Sequence, residues 1–231
     1  MSTAKRKYKL NENIFSKIDN EVSAYWLGFL YADGYNHTKK SSVTLCLHNL
    51  DINMLEKFSL FLETDKPIRR NTENSSKVVI ENKKISKDLE KLGVIQAKTH
   101  KIEFPNFLDE KMEKHFIRGY FDGDGSITYG RKLNVSATIS LVSTKNFLDE
   151  ICKRIEIHFN YTKRHKNKED NIYTINSGGI CNILKFYNYL YKDSNIFLLR
   201  KKEKFEKWFE WYFENIKFKK STLELKNKFN L

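Results

Sequence analysis

One pattern occurs twice in this chain. Residues 25–36 read Tyr-Trp-Leu-Gly-Phe-Leu-Tyr-Ala-Asp-Gly-Tyr-Asn, and residues 115–129 read His-Phe-Ile-Arg-Gly-Tyr-Phe-Asp-Gly-Asp-Gly-Ser-Ile-Thr-Tyr. Gly28 aligns with Gly119, Ala32 with Gly123, Asp33 with Asp124 and Gly34 with Gly125, so the two aspartates stand 124 − 33 = 91 positions apart. Within each copy the small residues lie four apart, which places them on one face of a helix. A duplicated helix with a small-residue face predicts two related halves whose helices pack closely against each other.

The surrounding pattern repeats as well. Ser23 reads as an N-cap and residues 24–33 as a helix, with Gly34 supplying a left-handed turn at its end. Residues 35–49 read as a hairpin in which Val43, Leu45 and Leu47 alternate with Ser42, Thr44, Cys46 and His48, the period of a half-buried strand. Asp51 is positioned to cap a helix running to about Leu62. A second hairpin (67–82) and a short helix stopping at Gly93 complete the first set. After a connector at 94–110 the order restarts with helix 111–123 and a hairpin (126–141). In that hairpin Val135, Ala137, Ile139 and Leu141 alternate with Asn134, Ser136, Thr138 and Ser140. Helix 144–158, a hairpin around a charged turn at 161–177 and helix 180–191 follow. Helix, hairpin, helix, hairpin, helix therefore occurs twice. Phe205, Trp208, Phe209, Tyr212 and Ile216 form an apolar stripe on a last helix at 199–216, expected to pack on the body. The expected division is an N-terminal basic arm (1–20), with at most a short ordered piece near Ile14–Ile18, repeats at 21–105 and 106–218, and a loose basic tail at 219–231.

Packing the small faces together sets two helix C-termini side by side, each ending in an aspartate. Like charges at negative helix ends are costly without a cation. Mg²⁺, which binds through one or two carboxylates plus water and phosphate oxygens, resolves that cost. Such a centre suits in-line phosphodiester hydrolysis. A calcium loop is excluded, because an EF-hand requires Asp at its first position and Glu at its twelfth. With Gly125 at position 6 those positions are Tyr120 and Arg131; with Asp122 first, the twelfth is Leu133. The six histidines and the cysteines Cys46, Cys152 and Cys181 show no paired metal-ligand spacing.

Lys+Arg number 42 against 29 Asp+Glu, a net +13, which points to a polyanionic partner, nucleic acid or an anionic membrane surface. No apolar run is long enough to cross a membrane. Three widely spaced cysteines without a CxxC fit a reducing compartment.

Trp26-Leu-Gly-Phe-Leu-Tyr-Ala-Asp33-Gly and Ile117-Arg-Gly-Tyr-Phe-Asp-Gly-Asp124-Gly resemble the two motifs of monomeric, double-motif LAGLIDADG homing endonucleases. Leu92-Gly-Val-Ile-Gln-Ala-Lys98-Thr and Asn195-Ile-Phe-Leu-Leu-Arg-Lys201 also resemble family segments, so the likeness spans about residues 22–216. The resemblance implies an α+β fold of two pseudo-symmetric αββαββα repeats. Their antiparallel sheets would form a DNA-binding saddle, with Gly28, Ala32, Gly119 and Gly123 at the helix interface. It implies a double-strand break in a long, asymmetric DNA target, with Asp33 and Asp124 as the catalytic, Mg²⁺-binding acids. A basic residue is implied beside each acid, here Lys98 (or Lys101) and Lys201. The DNA contacts it implies are Ser42, Thr44, His48, Arg69 or Arg70 and Lys77, with Cys46 in doubt, and then Asn134, Ser136, Thr138, Ser140, Lys163, Arg164, Lys166 and Asn176. Tyr31 replaces the acid at the sixth motif position, a substitution that implies no loss of activity. An intron maturase or DNA-binding regulator on the same fold is the competing reading; such proteins can lose the acids, and both are present. A start at Met1 without room for splicing segments favours a free-standing or intron-encoded protein over an intein. It would be a monomer without an obligate protein partner, in a bacterial or phage-host cytoplasm or an organellar matrix and not secreted.

Overall fold

Helix α1 spans Glu21–Asp33, and Ser23 to Tyr31 are buried without a break. A helix that is apolar on every side belongs in the interior, and α1 lies between the two halves. Asn20, rather than Ser23, is its cap: the Ser23 amide donates to Asn20 Oδ1 at 3.0 Å and the Asn20 amide to Ser23 Oγ at 3.3 Å. Ser23 is the third-position partner of a capping box. The computed structural model describes residues 7–96, 100–130, 136–164, 171–216 and 220–229.

After α1 come β1 (Gly34–His37), β2 (Ser42–His48), α2 (Ile52–Phe61), β3 (Arg69–Thr72), β4 (Ser75–Glu81) and α3 (Lys83–Lys91). The second half repeats the series as α4 (Glu110–Asp124), β5 (Ser126–Tyr129), β6 (Ala137–Thr144), α5 (Lys145–Arg154), β7 (Asn160–Lys163), β8 (Ile172–Gly178) and α6 (Ile180–Tyr191). Two further helices close the chain, α7 (Leu199–Asn215) and α8 (Lys220–Phe229). Each half holds a four-stranded sheet, ordered β1-β2-β4-β3 and β5-β6-β8-β7, and every pairing is antiparallel. This is the two-repeat α+β architecture that the element order predicts.

Period-2 alternation decides which face of each sheet is covered. Val43, Leu45 and Leu47 are buried, as are Ile127, Ala137, Ile139 and Leu141. Each sheet carries its helices on the apolar side. Trp26 and Phe58 pack at 4.9 Å between ring centroids in the first half, and Phe121 and Phe186 at 5.0 Å in the second. Tyr31 against Phe116, at 4.9 Å, joins the halves.

Both chain ends differ from the sequence expectation. The segment before α1 is bound to the first half well beyond Ile14–Ile18. Phe15 is buried, the Asn11 amide donates to the Leu62 carbonyl at 3.0 Å, and Asn82 donates to Glu12 at 2.8 Å. Residues 220–229 are helical rather than loose. Buried Thr222 lies 3.7 Å from Cys181 Sγ on α6. In both segments isolated apolar or small residues find a groove that no local pattern reveals. The expected cap at Asp51 also differs, because its carboxylate makes no cap bond and instead pairs with Arg200.

Candidate metal centre and nucleic-acid face

The centre is built by the contact of α1 with α4. A Cβ on Gly28 would lie 2.0 Å from the Phe116 carbonyl oxygen, and a Cβ on Gly119 would lie 2.0 Å from that of Tyr25. Backbone therefore meets backbone, reciprocally, at the two predicted glycines. One turn further on, a Cβ on Gly123 would lie 2.3 Å from Ala32 Cβ and 3.3 Å from Asp33 Oδ2. The Asp33 carboxylate thus stands over the residue that precedes Asp124, and both aspartates are exposed. The four small residues form the helix interface, as their spacing predicts.

Gly34 and Gly125 follow the aspartates in extended backbone, with φ of −74° and −76°, and not in the left-handed turn expected at a helix end. Their need is steric. A Cβ on Gly34 would lie 2.6 Å from the Leu30 carbonyl oxygen, and one on Gly125 would lie 2.1 Å from the Phe121 ring. Each helix turns straight into a strand folded back over its own last turn.

Lys201, in the first turn of α7, reaches this centre from below. Its Nζ donates to the carbonyl oxygens of Phe121 at 2.7 Å and Gly123 at 2.9 Å, at the C-terminal end of α4. The side chain is buried. Burial lowers its pKa to about 8, against the opposing pull of Asp122, Asp33 and Asp124. The unfolded chain then holds a proton that the folded protein lacks between pH 8 and 10.5, the ordinary value. The lysine's contribution to stability is therefore complete above 10.5 and is lost as pH falls through 8. Lys201→Met should remove this rise, so that urea midpoints of wild type and variant diverge further at pH 10 than at pH 8. Parallel pH profiles would show that the lysine is not desolvated. Its counterpart Lys98 lies outside the described residues, and Lys101 is exposed on the connector.

Two groups at the centre carry no signal in the sequence. Asp122 is fully buried and accepts hydrogen bonds from Tyr25 Oη (2.9 Å), Tyr191 Oη (2.8 Å) and the Leu198 amide (2.7 Å); burial raises its pKa above the ordinary carboxylate range. Arg118 is also fully buried. It donates to the carbonyls of Ile196 (2.8 Å) and Leu190 (3.1 Å) and to Glu21 (2.7 Å). Together they fix the 190–198 segment, and so the start of α7, against α1 and α4. Asp122 holds the sixth motif position, which Tyr31 holds in the first copy. Tyr31 Oη donates to the Leu92 carbonyl, so both copies use this position to tether the chain that leaves the half.

The two sheets leave one polar face each. Strand pairing sets Thr44 beside Tyr35, Cys46 beside Lys77, and Lys77 beside Arg69. Ser42, Thr44, His48, Arg69 and Lys77 therefore share the open face of the first sheet. Arg70 does not: it stands opposite buried Ser76, hence on the other side of an exposed edge strand. In the second sheet Thr138, Ser140 and Asn176 share the open face, and Ser140 Oγ donates to Asn176 at 2.5 Å. Ser136 is exposed just before β6. Lys163 pairs with Tyr173, which in turn pairs with buried Ser143, so the strand period turns Lys163 towards the helices. Arg164 instead lines a cleft of about 470 Å³ with Tyr31, Ala32, Asp124 and Ser143. Asn134 and Lys166 lie outside the described residues. Pairing places Tyr35, Val79, Ser126, Thr128, Asn160, Thr162 and Thr174 on these same faces as well, which only the register reveals.

Among the described residues no three His, Cys, Asp or Glu side chains gather as a metal cage. A pair of exposed carboxylates at adjoining helix ends fits a hard divalent cation that takes its remaining ligands from water and phosphate. Also among the described residues, no helix is long and apolar enough to cross a membrane.

Residues 111–191 match the family model described as the LAGLIDADG-like domain. Across solved structures the fold is that of I-LtrWI, a LAGLIDADG homing endonuclease bound to target DNA, at a TM-score of 0.57 and 14% identity over 94% of this chain and 98% of that one. It is similar to meganuclease I-SmaMI bound to uncleaveable DNA, at a TM-score of 0.56 and 13% identity over 90% and 96%. A third is LAGLIDADG meganuclease I-AabMI bound to uncleaved DNA, at 0.56 and 12% over 84% and 90%. Among curated proteins, 121 residues are 28% identical to the replication factor C small subunit of Methanocaldococcus jannaschii. That alignment spans 49% of this chain and only 6% of that protein.

Proposed function

We propose that this chain, which carries a LAGLIDADG-like domain at 111–191 within the fold of LAGLIDADG endonucleases, is a site-specific homing endonuclease. It makes a double-strand break in a long, asymmetric DNA target by metal-dependent phosphodiester hydrolysis. The observation that carries this reading is the reciprocal glycine contact, which brings Asp33 to the residue next to Asp124. Asp33 and Asp124 would hold Mg²⁺, which when bound supplies Lewis-acid stabilisation of phosphate charge and a more acidic water. Water oxygen bonds to phosphorus, one P–O ester bond breaks, and the departing oxygen takes up a proton. Lys201 fixes the carbonyls at the end of α4, and Lys98 remains the candidate for the first half. The open sheet faces differ between halves, which supports an asymmetric target read by strands in the major groove. The net charge of +13 supports phosphate contact and salt-sensitive binding. Residues 21–105 and 106–218 act as the two DNA-reading units of a monomer. Free Cys46, Cys152 and Cys181 fit a cytoplasm or organellar matrix.

The test is a cleavage selection on randomised duplex DNA, with Mg²⁺ or with EDTA. The expected result is recovery of one family of long duplexes cut on both strands with Mg²⁺ and uncut with EDTA. Binding without cleavage overturns the reading in favour of a DNA-binding regulator.

A further inference from the structure

The first turn of α7 sends two neighbouring cations in different directions. Lys201 turns inward and spends its charge on the carbonyls of α4. Arg200 turns outward and crosses to the first half, where Nε donates to Asp51 Oδ1 at 2.7 Å and Nη2 to Oδ2 at 2.8 Å. Asp51 is buried, whereas the Arg200 side chain is 53% exposed. A carboxylate gripping Nε and Nη2 takes two of the five N–H donors of a rigid fork. The other three point away from Asp51, on the exposed side of the group.

The sheet explains why Asp51 stands there. Gly34, next to Asp33, pairs with Leu45. β2 runs on past that point through His48, and the following turn at Asn49–Asp51 carries the carboxylate towards the other half. In the second sheet Ser126 pairs with Ser140, so Leu141 corresponds to Leu45, but β6 there runs straight into α5 without such a turn. The residue that precedes α5, as Asp51 precedes α2, is Thr144, which caps the helix through its hydroxyl. Among the described residues this carboxylate therefore belongs to the first half. Lys201, the next residue, reaches the Gly123 carbonyl beside Asp124, so Arg200 leaves α7 at the edge of the same centre, with its charge favoured by Asp51.

We propose that Arg200, oriented by Asp51, is a phosphate-binding residue serving one of the two strands cut at the centre, and that Asp51 is its positioning residue. The proposal rests on the nuclease reading. Preorganised donors aimed at a phosphate strengthen as charge develops there, and an arginine fork matches two phosphate oxygens at once. Because the described residues form this bridge from the first half alone, the two strands depend on it unequally.

The test uses the duplex recovered in the selection, with each strand end-labelled separately and the nicked intermediate quantified. Arg200→Lys and Arg200→Ala should slow one strand by on the order of 100-fold and leave the other within about threefold, so that singly nicked DNA accumulates. Asp51→Asn should slow the same strand less, with Asp51→Glu recovering part of the rate. The double replacement Asp51→Asn with Arg200→Gln leaves no buried unpaired carboxylate and should keep the strand bias if the single variants fold poorly. Equal slowing of both strands, or none, in folded variants overturns the proposal and leaves only an inter-repeat ion pair. A wild type that cuts neither strand overturns the nuclease reading itself.

Discussion

Asp33→Asn and Asp124→Asn should each bind the selected duplex with near wild-type affinity and fail to make the double-strand break. Each replacement removes one of the two carboxylates proposed to hold the metal at the joint of α1 and α4, and both side chains are exposed. The expected loss is about 10³-fold or more in double-strand cleavage, above the roughly 10- to 100-fold typical of removing an outer partner of a metal ligand. Affinity should hold, because the proposed binding rests on cationic contacts along the sheet faces and not on carboxylates. Folded stability should change by no more than about 1 kcal/mol, the scale of exposed charge interactions. Gel-shift titration, strand-resolved cleavage and thermal unfolding separate these effects. A variant that keeps a tenth of wild-type double-strand cleavage would show that the acids do not form one centre.

Gly28→Ala and Gly119→Ala should be among the most damaging single-methyl changes in the chain. Each new Cβ would lie 2.0 Å from a carbonyl oxygen of the opposing helix, and no side chain can rotate aside, since the obstacle is backbone. Overpacking ordinarily costs about 1–3 kcal/mol and sometimes more. Here relief requires the two central helices to separate. We expect about 3 kcal/mol or more at either position. At roughly 2–4 °C per kcal/mol for a chain of this size, the melting temperature falls by about 6–12 °C. Whatever folds should also cleave poorly, because spreading the helices moves Asp33 away from Gly123. Gly179→Ala is a useful comparison: a Cβ there meets nothing within 4 Å, although its φ of +81° makes any side chain strained. Gly28 and Gly119 have ordinary helical backbone, so losses there no larger than at Gly179 would mean that the helix contact relaxes cheaply around a methyl group.

The duplicated motif, the two acids and the polar faces are legible in the sequence because each depends on a short period. Four-residue spacing defines a helix face and two-residue spacing a sheet face, and the alternation of Val43, Leu45 and Leu47 with Ser42, Thr44 and Cys46 is visible without partners. Register is not visible in that way. It separates Arg69 from Arg70 and turns Lys163 towards the helices while Arg164 enters the cleft beside Asp124. Asn20 and Ser23 form one reciprocal pair, and either alone reads as a cap, so the helix start differs by three residues from the expectation.

The sequence by itself determined that two similar halves meet through small residues and that each brings an aspartate to the meeting point. Only the tertiary structure decided which charged groups are desolvated there. Asp122 stands two residues from Asp124 in the motif, yet it is fully buried and accepts three hydrogen bonds. Lys201 and Arg200 are neighbours, yet one caps carbonyls inside the protein and the other bridges to Asp51, 149 positions away. Burial and pairing of a charge are set by whatever the fold brings against it. That information resides in contacts between distant segments, not in the local order of residues.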